Sequence, residues 1–514
     1  MNKLRVYAVP LVIFVLLVGS YLPLISKINF TQNDDFYYYN NVSRFLAHNF
    51  TLVDKTAPTF YTQGLLGMVF SLIFEIGKLP TLTLFISVLN IVIIFEILRK
   101  IAKVEVVWSV LLSLTLFFCP LYQYALYGFM TETYLLFFLL LLMYQLFQYE
   151  TVGLRANYLL YLLFLVLALL VRQVSLIVPA AYSIYLFLKG RYKEAFRELL
   201  VFLTLVALYL FLFPKTPEMT KKVLQFQHAL KAEYAFAVVY GIYLYLVAFF
   251  VPFFIVVLMK VKDFSRKKFI MWAVLSISLF YVLNAYYQPM KVSWGEFPYF
   301  ENTFERTGFI PRVLDGTKYI FKGSYDLYKY WELAAKVLGV CVLSFLVLCI
   351  KEYKKFVNIN VLLAFCYVGL MVLTYTFYDR YIVFLLIPAV FLLAPALTRS
   401  TNLAFKLAAG AFVAFLALFN YVLGNDFVLS HSSMWNEARN LVATGVAPKD
   451  IYMTTSWNKE FTANKQNAKY IFSYDSQIVN QVYKDNYLLV KTIKPLFVLD
   501  PFISPRIYLY QKKL

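Results

Sequence analysis

The sequence is poor in the residues that build metal and redox centres. Its 514 residues include three histidines and four cysteines. His48, His228 and His431 are scattered and make no metal motif by spacing. Cys119, Cys341, Cys349 and Cys366 lie within or at the end of apolar runs, with neither metal-site spacing nor a disulfide framework. Charge is also scarce, with Asp, Glu, Lys and Arg at 15%, well below a soluble domain's share. No P-loop, dinucleotide-binding glycine pattern, HExxH or nucleophile elbow occurs, which argues against ATP-driven transport and zincin proteolysis. There is no solenoid-type repeat and no low-complexity segment.

What fills the chain is apolar. The hydrophobic fraction is 61%, against about half in a soluble domain, so the composition is that of a polytopic membrane protein. Aromatics reach 19%, a load that suits anchoring of many helix ends at headgroup level. The net charge of +20 could point to nucleic acid. The basic residues cluster instead in short loops between apolar spans, as orientation signals, and no nucleic-acid partner is expected.

Apolar runs cover residues 6–26, 80–98, 105–124, 132–148, 156–171, 173–188, 198–213, 234–259, 269–285, 332–350, 357–376, 380–397 and 403–424. Each is near the ~20 residues that span a bilayer, giving about thirteen spans. The N-terminal stretch has a basic start but no clear cleavage site, and reads as a retained first helix. The run 63–77 is shorter and contains Glu75, so it is expected on the interface.

Charge supports this count. With the N-terminus inside, the cytoplasmic loops hold Arg99, Lys100, Lys103, Arg155, Lys189, Arg191, Lys193, Arg197, Lys260, Lys262, Arg266, Lys351, Lys354 and Arg399. A crossing at 63–77 would put those clusters outside. Four parts then face outward: 27–79, the segment 214–233, the loop 286–331 and a tail after about 425. The tail alternates short strands and helices and reads as a small α/β domain.

Polar residues at the outer face are the candidates for chemistry. "NDDFYYYNNVSRFL" puts Asp34 and Asp35 at the start of an amphipathic helix whose greasy side holds Phe36, Tyr38 or Tyr39, Val42, Phe45 and Leu46. Carboxylates at a cavity mouth can activate a hydroxyl or bind a divalent cation. They can also simply suit the helix dipole. Glu132, in "GFMTETYLL", sits where one span turns into the next; Thr131 as helix cap and Glu132 in the first turn is the plain alternative. Arg172 and Arg380 lie between apolar spans, on the face where cations are disfavoured. A cation near hydrocarbon costs about 2–3 kcal/mol at the centre on insertion scales, and less near the interface. Asp379 could neutralise Arg380. Alternatively both arginines grip a phosphate, which at that face implies a lipid-linked substrate.

Four stretches in order, "DDFYYYNNVSRFL", "YGFMTETYLLFF", "LVRQVSLIVP" and "DRYIVFLLIPAVFLL", resemble the GT-C superfamily of membrane glycosyltransferases. The nearest likeness is to the protein O-mannosyltransferase and lipid A aminoarabinose transferase group. The resemblance covers roughly residues 1–424. It implies an all-α polytopic membrane protein: a catalytic module over 1–424 with interfacial helices in its first loop, and an extracytoplasmic α/β domain over 425–514. It also implies a multi-pass protein of a prokaryotic plasma membrane. The reaction would move a sugar from a polyprenyl phosphate to a lipid, glycan or protein acceptor, with inversion.

By that resemblance Asp34 is the base, and Asp35 assists it or binds a metal or the acceptor. Glu132 lines the cavity, and Arg172 and Arg380 hold the lipid phosphate. Tyr381 and Tyr38 count among the substrate-binding residues, although the tyrosine run reads first as interfacial anchors. Relatives often carry a Lys-Pro or Pro-Pro pair after the acidic loop, whereas here "DKTAPTFYTQG" separates Lys55 from Pro58. Some relatives bind a metal through an acidic residue and a histidine, and His228 lies in a comparable segment; a divalent cation therefore stays open. The competing classes are a lipid-linked sugar flippase or secondary carrier, and a surface-polysaccharide polymerase or ligase. Carriers often show paired halves and broken helices at the midplane; here no paired halves occur, and the polar residues collect at one face instead.

Overall fold

The computed structural model describes residues 3–54, 56–213, 232–286, 303–305, 308–309, 324–348, 358–373, 379–397, 403–474, 486–495 and 506–513. His228, Lys55, Cys349, nearly all of 214–233 and most of 286–331 lie outside the described residues.

The chain is mostly helical. In order come α1 (Lys3–Ile25), α2 (Asp35–Leu46), α3 (Thr62–Ile73), α4 (Leu79–Lys100), α5 (Val106–Phe117), α6 (Pro120–Leu126) and α7 (Thr131–Val152). Then follow α8 (Arg155–Leu169), α9 (Ile177–Leu188), α10 (Tyr192–Leu212), α11 (Ala232–Phe249), α12 (Val251–Leu258) and α13 (Arg266–Tyr286). The last are α14 (Ser324–Leu348), α15 (Ile359–Leu373), α16 (Val383–Leu397), α17 (Leu403–Ala443) and α18 (Thr455–Glu460).

Among the described residues seven helices are long and apolar enough to cross a membrane, or up to nine if each bent pair counts as one span. The thirteen expected runs exceed this because several helices are short. Helices α8, α15 and α16 have 15 residues each. At ~1.5 Å per residue that is about 22 Å, less than a ~30 Å hydrocarbon core. Helix α3, within the run read as non-crossing, has 12 residues. Left-handed glycines, Gly153 and Gly190, close α7 and α9. Each next helix folds back on its predecessor, so α7 packs on α8 and α9 on α10.

Two expected spans are broken, one between α5 and α6 and one between α11 and α12. Pro120 pushes Cys119 into extended backbone, and α5 and α6 meet at 63°. Such a break frees carbonyls that a buried site must satisfy. Gln123 Nε2 donates to the Phe117 carbonyl (2.8 Å). Asn420 of α17 donates to the Phe118 carbonyl and to Leu416 O. Beside the break, Asn90 of α4 donates to Tyr122 Oη and to the Thr133 carbonyl (both 3.1 Å), while the Tyr122 hydroxyl donates to Ser87 O (2.8 Å). These amides fix α6 and the start of α7.

Helix α17 does not end near 424, where the sequence put a domain boundary. It runs unbroken for 41 residues, about 60 Å, roughly twice a hydrocarbon core. Its later part buries Asn420, Asp426, Ser430, His431 and Ser432. After it come α18 and a small sheet of β3 (Ile451–Tyr452), β4 (Tyr470–Ser473), β5 (Tyr487–Ile493) and β6 (Ile507–Lys512). The order is β3-β4-β6-β5; β3 and β4 are parallel and the other pairs antiparallel. Strands β1 (Phe304–Glu305) and β2 (Gly308–Phe309) pair separately, and buried Phe309 packs against Tyr124, Tyr127 and Phe427.

Asn420→Leu would leave the Phe118 carbonyl buried without that donor. The expected loss is about 1–3 kcal/mol, read as a lower thermal unfolding midpoint of the purified protein. Asn425→Leu, at a half-buried position whose similar backbone bond is open to the surface, should move the midpoint little.

Candidate functional site

The segment after α1 turns sharply before α2. Asn33 takes a left-handed conformation, which asparagine tolerates better than most residues. Asp34 follows as the N-cap position of α2, but its carboxylate makes no capping hydrogen bond. It is turned away from the helix and is half-buried. Its Oδ1 receives Lys459 Nζ at 2.9 Å, and its Oδ2 lies 4.0 Å from an Arg380 nitrogen.

Asp35 points the other way. It is 1% exposed, and the backbone N–H of Phe129 donates to its Oδ2 at 2.7 Å. Gln32 Nε2 donates to Tyr124 O, and Gln63 Nε2 to Phe129 O, both at 2.8 Å. The end of α6 and the turn into α7 are thus gripped by Gln32, Asp35 and Gln63, all from the first segment, residues 27–79. Gly128 is required there: a Cβ would fall 2.2 Å from Asp35 Oδ2 and 2.3 Å from Gln32 Oε1. Burial drives the Asp35 carboxyl well above the ordinary carboxylate range, against the pull of the Phe129 N–H. Asp35, expected as a helper of the base or a cation ligand, faces the interior and holds the Phe129 amide.

Helix α7 begins at Thr131, with Met130 as its cap residue, so Thr131 is not the cap that the sequence suggested. Glu132 lies in the first turn and is 2% exposed. Its Oε1 receives Arg172 Nη1 at 3.1 Å and faces Arg380 Nε at 3.5 Å. Arg172 precedes a 3-10 turn, Gln173–Leu176, in extended backbone. Just before it, Leu170 O accepts the N–H groups of Tyr61 and Thr62, tying the arginine's turn to the first segment. Arg380 belongs to a 3-10 turn, Asp379–Ile382, that leads into α16. Asp379 accepts the Thr303 N–H at 3.2 Å.

The two guanidinium groups also share one ring, at 5.2 Å and 5.6 Å from the Tyr381 centroid. Tyr38 is buried and stacked on Phe60, within electrostatic reach of both arginines. The structure therefore brings Asp34, Glu132, Arg172, Arg380, Tyr381 and Tyr38 to one locality. His48 and His431 lie apart from it in role: His431 Nδ1 bonds the Phe427 carbonyl, and His48 sits in a left-handed turn after α2. Among the described residues no three His, Cys, Asp or Glu side chains come together as a metal site.

A partly open apolar cavity adjoins this cluster between α7, α9, α15 and α16. Met143, Val178, Phe384 and Pro388 are among its walls. Tyr367 lines it and donates to the Tyr381 carbonyl at 2.9 Å, which joins cavity and cluster.

Lys459 is the site residue that the sequence did not reveal. It stands on α18, 425 positions after its partner. That helix is docked on α17 by Trp457 against Trp435 (5.1 Å), and Asn458 bonds the Met453 backbone on both its N–H and carbonyl sides. The first segment is strapped to α17 as well: Ser432 Oγ donates to Lys27 O, Asn29 Nδ2 to Asn436 Oδ1, and Arg439 to Asn29 O. A lone lysine in a polar tail carries no local signal of such a contact.

Asp35 gives a pH signature. Its folded-state pKa is raised, so its contribution to stability is complete below about 3.9, where an unfolded aspartate titrates, and is lost as pH rises through the folded value. The thermal midpoint should fall along that range in wild type and fall less in Asp35→Asn. Asp35→Ala should lose about 1–3 kcal/mol through the orphaned Phe129 N–H. Thermal unfolding of the three proteins from about pH 3 upward, starting below the unfolded aspartate's ionisation, checks this. No protein-family model, curated protein or solved structure matches the chain.

Proposed function

We propose that this chain is a membrane glycosyltransferase of the GT-C type, moving a sugar from a polyprenyl-phosphate donor to an acceptor at the outer membrane face. On this reading about thirteen segments cross or enter the bilayer, the shorter helices included. The sheet and α18 lie outside it, in a prokaryotic plasma membrane. The observation that carries the reading is the convergence of Arg172 and Arg380 on one buried carboxylate, Glu132, at the end of an apolar cavity and beside Asp34. An apolar cavity suits a lipid chain, and paired guanidinium groups at its end suit the phosphate that follows.

The chemistry asks little acid catalysis of the protein. Asp34 takes the proton of the acceptor hydroxyl, whose oxygen attacks the anomeric carbon from the face opposite the phosphate. The bond from that carbon to the phosphate oxygen breaks, and its electron pair leaves with the lipid phosphate. Arg172 and Arg380 hold that phosphate, Glu132 and Tyr381 hold the arginines, and Asp35 holds the segment that carries Asp34. Positioning and electrostatics supply the rate.

The test is a transfer and hydrolysis assay on purified protein in lipid nanodiscs, with a panel of radiolabelled polyprenyl-phosphate sugars. Wild type should consume at least one donor. Asp34→Asn should slow consumption by about 10²–10⁴-fold with little change in donor KM. Arg380→Gln should raise donor KM instead. Equal rates in wild type and Asp34→Asn would sink the base assignment. Facilitated movement of intact donor across the bilayer, without sugar transfer, would favour the carrier class.

A further inference from the structure

We propose that Lys459 is a substrate-binding residue that passes from Asp34 to the leaving lipid phosphate as the sugar is transferred. The inference rests on the glycosyltransferase reading and adds a residue to it. Before the step Asp34 carries one negative charge and the donor phosphodiester one. The acceptor hydroxyl then gives its proton to Asp34, which becomes neutral. The oxygen forms its bond to the anomeric carbon, and the bond from that carbon to the phosphate oxygen breaks with its electron pair. The lipid phosphate, now a monoester, holds two negative charges. One unit of negative charge has moved from Asp34 to the phosphate, and a cation held by Asp34 follows it.

Lys459 fits that role better than either arginine. Arg380 is nearly buried, faces Glu132 and lies over Tyr381. Arg172 makes the shorter bond to Glu132 and shares the same ring. Lys459 is 43% exposed, and Asp34 is its ion-pair partner among the described residues. Its ammonium ends a flexible four-carbon stem with freely rotating donors. Its backbone does not need to move, since Trp457 and Asn458, immediately before it, fix α18 in place. Lys459 and Arg380 flank one carboxylate, at Oδ1 and Oδ2, so a phosphate held by Arg380 arrives next to Lys459. The ion pair also explains why a base with a cation already on it can still work: protonation of Asp34 and release of Lys459 are the same event.

The experiment measures binding of undecaprenyl phosphate, the product side of the reaction, to full-length protein in nanodiscs. Asp34→Asn mimics the neutral acid and should bind about five-fold tighter than wild type. K459M and K459Q should each bind about five-fold weaker, and K459R should bind as wild type. In the Asp34→Asn/K459M double variant the gain from Asp34→Asn should shrink to about two-fold or less. Undecaprenol, which lacks the phosphate, should respond to none of these changes. If K459M and K459Q bind like wild type, or the gain from Asp34→Asn is the same with and without Lys459, the assignment of Lys459 is overturned. If wild type does not bind undecaprenyl phosphate, or Arg380→Gln binds it unchanged, the glycosyltransferase reading itself fails.

Discussion

Two guanidinium groups cannot rest beside an apolar cavity without an anion between them, and Glu132 is that anion. A buried ion pair is stable only when its geometry is good and its remaining polar atoms are occupied. Here one carboxylate serves Arg172 and Arg380 together, and one ring, Tyr381, faces both cations. Three turns must meet for this to happen: those at 127–131, 170–173 and 379–382. Much of the polar chemistry of the fold is spent on that meeting. The Leu170 carbonyl takes two amides from the first segment, and Phe129 is held through both its N–H and its carbonyl. Tyr367 holds Tyr381 from the cavity side.

The adjacent acidic residues divide the work by direction. Asp34 faces cations and solvent, while Asp35 faces the protein interior and one backbone amide. Consecutive residues at a helix start point about 100° apart, so an acidic dipeptide there serves two environments without any further machinery. The same local geometry turns one carboxyl toward Lys459 and Arg380 and the other toward the Phe129 amide.

Much of the candidate site was legible in the sequence because its residues are out of place there. Glu132, Arg172 and Arg380 interrupt apolar runs, and a charge in such a run needs a reason. Asp34 and Asp35 stood out in the same way, although nothing local said that they would face opposite ways. Lys459 was not legible, because a lysine in a polar tail is ordinary and its partner is distant in the chain. The helical, apolar character of the fold was equally plain, yet individual helix lengths were not. The break at Cys119 is signalled by Pro120, but an apolar run flows across it unchanged. The end of α17 was misplaced because hydropathy falls near 424 while the hydrogen-bonded helix continues on packing against the first segment.

The length of α17 has a mechanical consequence. A rod of about 60 Å that tilts by about 5° at one end carries the other roughly 5 Å. That displacement exceeds the 2.9 Å contact between Lys459 and Asp34, so an unguided rod would let the two drift apart with each change in its surroundings. Ser432, Asn436 and Arg439 clamp the rod to residues 27–29 near its far end. Carboxylate and ammonium are thereby mounted on one frame, and a lever that would otherwise amplify motion instead carries both ends of the ion pair together.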